Sequence, residues 1–115
     1  MIHLEAPPPK GDNLFVERSL AIRETQRFDL GMGIAPPKLR LHLWKIQSQL
    51  LRDLCGKLSV RFLEAPEQAL DEKGFLKRDY YNRDATHANA AYGALVLDSI
   101  VTKACSDHVS EVAGT

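Results

Sequence analysis

Only two cysteines, Cys55 and Cys105, occur in the chain. They are too few for a disulfide scaffold, and neither belongs to a zinc-ligand pattern. Neither sign of charge is in excess, since fifteen Lys and Arg balance fifteen Asp and Glu. That balance argues against a strongly basic nucleic-acid binder and against an acidic disordered tail. No apolar run approaches the ~18 residues of a membrane span. Met1-Ile2-His3-Leu4-Glu5 has neither a charged start nor an apolar stretch, so no secretory signal is expected. The expected setting is the reducing cytoplasm, with no membrane and no nucleic-acid partner. What remains is ordinary: 115 residues, 44% hydrophobic and 26% charged, fit at most one soluble globular domain.

Punctuation by proline and glycine divides the chain. Met1 to Ala6 reads as a strand stopped by Pro7-Pro8-Pro9, because proline lacks the ladder donor. Lys10-Gly11-Asp12-Asn13 reads as a turn, with Asp12 or Asn13 able to cap a helix over Leu14 to about Phe28. Gly31-Met32-Gly33 breaks that helix. Pro36-Pro37 then opens the strongest helical pattern. Leu39, Leu43, Trp44, Ile46, Leu50, Leu51, Leu54, Cys55 and Leu58 recur at helical spacing and are expected to form a core face. Gly56 is placed to help that helix stop. Val60 to Glu64 reads as a second strand, followed by a loop from Glu67 to Asn82 with a turn at Asp71-Glu72-Lys73-Gly74. A last helix is expected from Ala88 or Asn89 to about Lys103, with 104–115 as a fraying, flexible tail.

Two strands joined through helices point to parallel pairing with crossover helices. Two strands alone cover few apolar helical residues. The domain, residues 1–103, is therefore expected to belong to a larger sheet or to complete one as a homo-oligomer.

The segment with chemical content is Arg83-Asp84-Ala85-Thr86-His87-Ala88-Asn89-Ala90-Ala91-Tyr92-Gly93. Asp84 and His87 stand three residues apart where a loop enters a helix. That spacing lets a carboxylate meet one imidazole nitrogen, fix the tautomer and leave the other nitrogen as a general base. Asn89 is placed to cap the helix, and Tyr92 to pack back on the loop. The plainer reading of the same residues is a capped turn with no chemistry.

This block resembles the C-terminal Asp-x-x-His block of the SGNH (GDSL-type) hydrolases. The order of strand, proline run, long helix, second strand and loop before it agrees with the C-terminal half of such a domain. The resemblance implies a partial flavodoxin-like three-layer α/β/α sandwich. It implies a serine-type hydrolase of acyl esters of sugars or lipids, with His87 as base and Asp84 as acid. No cofactor and no metal are implied. The family's Gly-Asp-Ser block is missing: Gly11-Asp12-Asn13 has asparagine where serine would stand, and no Gly-x-Asn-Asp stretch occurs. The expectation is thus a truncated or split hydrolase domain, weak or inactive alone. The alternative is a non-catalytic α/β module that self-associates.

The other candidates have plain readings. Ser19, Ser48, Ser59, Ser99, Ser106 and Ser110 lack the strained turn that exposes a nucleophile, and are read as surface or packing residues. His3, His42 and His108 fit no metal spacing. Cys55 is expected to pack on its helix, and Trp44 to sit in the core. Arg83 is a weak candidate for contact with an anionic substrate.

Overall fold

A computed structural model describes residues 1–23 and 34–113, with the side chains of 1–20 and 34–103. It is a mixed α/β fold with a short parallel sheet. Strand β1, Ile2–Leu4, pairs in parallel with β2, Arg61–Leu63, in the register Ile2↔Arg61, His3↔Phe62 and Leu4↔Leu63. Helix α1, Asn13–Arg23, and helix α2, Pro37–Lys57, lie in the connection between them. Helix α3, Ala90–Ala113, follows β2. Both strands are shorter than their sequence patterns: pairing ends at Glu5, where the following prolines offer no amide donor and the Glu5 carboxylate takes the Ala65 amide. The Glu5 amide donates to the Leu63 carbonyl at 2.8 Å, and the Glu5 carboxylate accepts from the Ala65 amide at 2.9 Å.

Capping residues act where the sequence placed two of them. The Asp12 carboxylate accepts from the Phe15 amide at 3.1 Å at the start of α1. The Asn89 side chain accepts from the Tyr92 amide at 3.1 Å at the start of α3. Helix α2 does not stop at Gly56, which lies inside it. It ends one residue later, at Lys57, and Ser59, with φ of 56°, turns the chain into the left-handed region so that the Val60 amide reaches the Cys55 carbonyl at 2.8 Å. Helix α3 continues past Lys103 to Ala113. The expected break at Gly31-Met32-Gly33 and the end of the first helix lie outside the described residues, as do the side chains of Cys105, Ser106, His108 and Ser110.

The loop after β2 is folded around two 3-10 turns, Glu67–Ala69 and Arg78–Tyr80. Asp71 holds the turn between them by accepting from the amides of Lys73 and Phe75 at 2.9 and 3.0 Å. Gly74 closes it at φ 95°, a conformation glycine adopts without strain. This loop and the first turns of α3 build the core: Ala69, Leu76 and Tyr92, packed by Tyr80, Tyr81, Ala88, Leu95 and Val96.

The leucine face of α2 is the main departure from expectation. Helix α2 packs against β2 and buries Leu41, Ser48 and Cys55, one residue every second turn, with Leu41 beside the turn at Gly74. Cys55 packs there as expected. Leu39, Leu43, Ile46, Leu50, Leu54 and Leu58 point away and stay exposed. The sequence periodicity located an apolar face, but the small buried residues let α2 approach the sheet with its other side.

Candidate active site

The site begins where β1 ends. Pro7-Pro8-Pro9 carries the chain off the sheet, and the Pro9 carbonyl accepts from the Leu76 amide at 3.0 Å. That contact ties the strand exit to the folded loop and drives Lys10 inward. The Lys10 side chain is fully buried. Its Nζ donates to the main-chain carbonyls of Asn82 and Asp84 at 2.9 and 2.5 Å and lies 3.7 Å from Asp84 Oδ1. The same ammonium sits 4.9 Å from the centre of the Phe15 ring and 5.0 Å from that of Tyr81. Burial pulls Lys10 below its ordinary value, and Asp84 opposes that shift. A buried cation is tolerable only with such partners, so Lys10 pins the segment from Asn82 to Asp84 in place.

Asp84 is organised by this frame. Its Oδ1 accepts from the amides of Thr86 and His87 at 3.2 and 2.7 Å, while Oδ2 lies 2.8 Å from His87 Nδ1. Asn82 adds a longer contact at 3.4 Å. The capped-turn reading and the acid–base reading are therefore both satisfied by the same carboxylate: one oxygen builds the turn and the other holds the ring. Burial would raise Asp84, but the hydrogen bonds from His87 and Thr86 outweigh it and hold the carboxyl at about 2.

The folded value of about 2 lies below the ordinary 3.8, so Asp84 stabilises the fold fully above pH ~4 and loses that contribution as pH falls toward 2. The difference corresponds to about 2 kcal/mol. Denaturant titrations at about pH 5 and about pH 2 are expected to show wild type losing about 2 kcal/mol more than Asp84→Asn over that interval.

His87 is the exposed member of the pair, with 75% of its side chain accessible against 12% for Asp84. Among the described residues Nε2 has no protein partner. His87 is one of the residues lining a cavity of about 630 Å³, with Lys10, Val16, Leu20, Arg40, Trp44 and Gln47 among the others. Trp44 is only half-buried and donates from Nε1 to the Ala6 carbonyl at 3.0 Å, so it walls this cavity and is not part of the core. Arg40 donates to Asn13, Ala35 and the Lys10 carbonyl at 2.5–2.8 Å. Both cations at the cavity are thus consumed by the fold, and neither is free to hold an oxyanion.

No serine or cysteine of the described residues lines this cavity. Ser19 is buried and donates to the Phe15 and Arg83 carbonyls, Ser48 is buried in α2, and Ser99 donates to the Leu95 carbonyl. His3 stacks on Phe62, and His42 is exposed on α2. Arg83 is exposed and does not line the cavity beside His87. Among the described residues no group of three His, Cys, Asp or Glu side chains is arranged to hold a metal ion, and no helix is long and apolar enough to cross a membrane.

Sequence reasoning missed Lys10 and Arg40. The one signal for Lys10 was its position just after β1, at the carboxyl end of a parallel strand, where α/β folds build their sites. Arg40 gave none, since an arginine in the first turns of a helix looks like solvated surface. The chain matches no protein-family model, no curated protein and no solved structure.

Proposed function

We propose that the chain carries the acid–base part of an SGNH-type ester hydrolase centre, with His87 as general base and Asp84 as its orienting acid. One observation carries the reading: the 2.8 Å contact between His87 Nδ1 and Asp84 Oδ2, on a ring whose other nitrogen is unpartnered beside a cavity. Asp84, kept ionised, directs the ring proton to Nδ1 and stabilises the imidazolium that forms on proton uptake. The parallel pair β1–β2, with α2 in its connection and the site running into α3, is consistent with a partial flavodoxin-like sandwich.

Among the described residues no serine or cysteine lines the cavity, and the nucleophile in this reading is water. His87 Nε2 takes a proton from water as its oxygen adds to the ester carbonyl. The tetrahedral adduct collapses by breaking the bond to the alkoxy oxygen, which accepts that proton and leaves as the alcohol. Wall residues such as Val16, Leu20 and Trp44 favour a neutral acyl ester over a charged one. Catalysis is expected to be weak, because each missing oxyanion donor forgoes about 2.7–4 kcal/mol of transition-state stabilisation.

The test is hydrolysis of p-nitrophenyl acetate by the full chain. Wild type is expected to exceed His87→Ala, with both folded by circular dichroism. Equal rates would remove the catalytic assignment and leave Asp84 as a turn cap only. A fluorophosphonate adduct on the folded protein would replace water by a side-chain nucleophile.

A further inference from the structure

The exposed face of α2 has a pattern of its own. Leu39, Leu43, Ile46, Leu50, Leu54 and Leu58 retain 45, 53, 45, 65, 50 and 64% of their surface. Steps of three and four keep them on one stripe, opposite Leu41, Ser48 and Cys55. At ~1.5 Å per residue the stripe is roughly 28 Å long. It presents about 600 Å² of apolar side chain, at the upper limit for a monomer's largest patch.

We propose that this stripe is the interface of a two-fold symmetric dimer in which α2 packs antiparallel to α2 of a second copy. The spacing is what selects a second copy as the occupant. Reversed end to end, the stripe nearly superposes on itself. Leu39 then meets Leu58 of the other copy, Leu43 meets Leu54, and Ile46 meets Leu50, about a centre near residues 48 and 49. Such self-complementarity is what an isologous contact requires. A polar contact agrees with it. His42 and Asp53 lie on the same flank of the stripe, and the two-fold places each beside the other residue of the second copy.

The area agrees too. A standard interface buries about 800 Å² on each partner. The stripe supplies most of that, with exposed His42, Gln47 and Asp53 on its flanks and exposed Lys57 on its line near the C-terminal end. Helix α2 also walls the cavity beside His87 through Arg40, Trp44 and Gln47, next to the stripe, but none of the six stripe residues lines it, so the dimer does not rest on the hydrolase reading.

Sedimentation velocity of the full chain at roughly 100 µM tests the proposal. Wild type is expected at twice 12.9 kDa, and the double variant Leu50→Glu/Leu54→Glu at 12.9 kDa with unchanged circular dichroism. Both leucines are exposed in the single chain, and symmetry counts each substitution twice, so dimerisation should weaken at least ~100-fold. Gln47→Cys gives a second, fold-neutral readout. Mild oxidation is expected to give a disulfide mapped to position 47 of both copies, whereas Lys45→Cys, away from the stripe, gives none. A folded wild-type monomer overturns the proposal, including one that binds lipid vesicles or an unrelated amphipathic helix through this face. A dimer that survives the glutamates, or crosslinks through position 45 and not 47, overturns it as well.

Discussion

Lys10→Met is expected to lower the unfolding free energy by about 3 kcal/mol, because it removes one partner from a buried, hydrogen-bonded ion pair. Methionine keeps the length and apolar stem of lysine, so the loss isolates the charge. Two main-chain carbonyls, of Asn82 and Asp84, lose their donor, and the Asp84 carboxylate loses its buried cation. The faces of Phe15 and Tyr81 lose the ammonium between them. For a domain of this size the fall corresponds to roughly 10–15 °C in Tm. The damage should be local as well as global. Amide exchange is expected to quicken first between Asn82 and His87, the segment Lys10 holds. A Lys10→Met protein with wild-type Tm and wild-type exchange there would mean that Lys10 does not anchor the site.

The second large effect concerns Asp84. Asp84→Asn is expected to cut the His87-dependent hydrolysis of p-nitrophenyl acetate roughly 100-fold. Loss of the orienting carboxylate in such a pair costs up to ~10⁴-fold where the imidazole is buried. Here water can solvate the exposed ring and retain part of the base's function, so the expected loss is smaller. An asparagine oxygen at Oδ1 still accepts from the Thr86 and His87 amides, so the turn survives. The loss should appear in kcat, because Asp84 stabilises an imidazolium that exists only during reaction. A fall confined to KM would point to a change in cavity shape.

These expectations rest on different kinds of legibility. The caps at Asp12 and Asn89 and the turn at Asp71 were readable because each depends on neighbours in sequence, and the parallel pairing of Ile2–Leu4 with Arg61–Leu63 because two strands joined through helices favour a crossover connection. Asp84 and His87 were readable for the same reason, as three residues of separation suffice to join a carboxylate to an imidazole. Lys10 was not. Its partners lie more than seventy residues away in the chain, and a lysine after three prolines carries no mark of burial. The α2 face failed in another way. Periodicity reports that leucines share a side, yet it does not say which side meets the sheet. Leu41, Ser48 and Cys55 supply the narrow side that faces the rest of the fold, and the larger stripe was left outward.

The most direct measurement is the ¹⁵N spectrum of the His87 ring at a pH where it is neutral, in wild type and in Asp84→Asn. The wild-type ring is expected to carry its proton on Nδ1, bonded to Asp84, with Nε2 as the unprotonated nitrogen. Asp84→Asn should shift the population toward the Nε2-protonated form. A wild-type ring already protonated on Nε2, or one unchanged by Asp84→Asn, would contradict the acid–base pair.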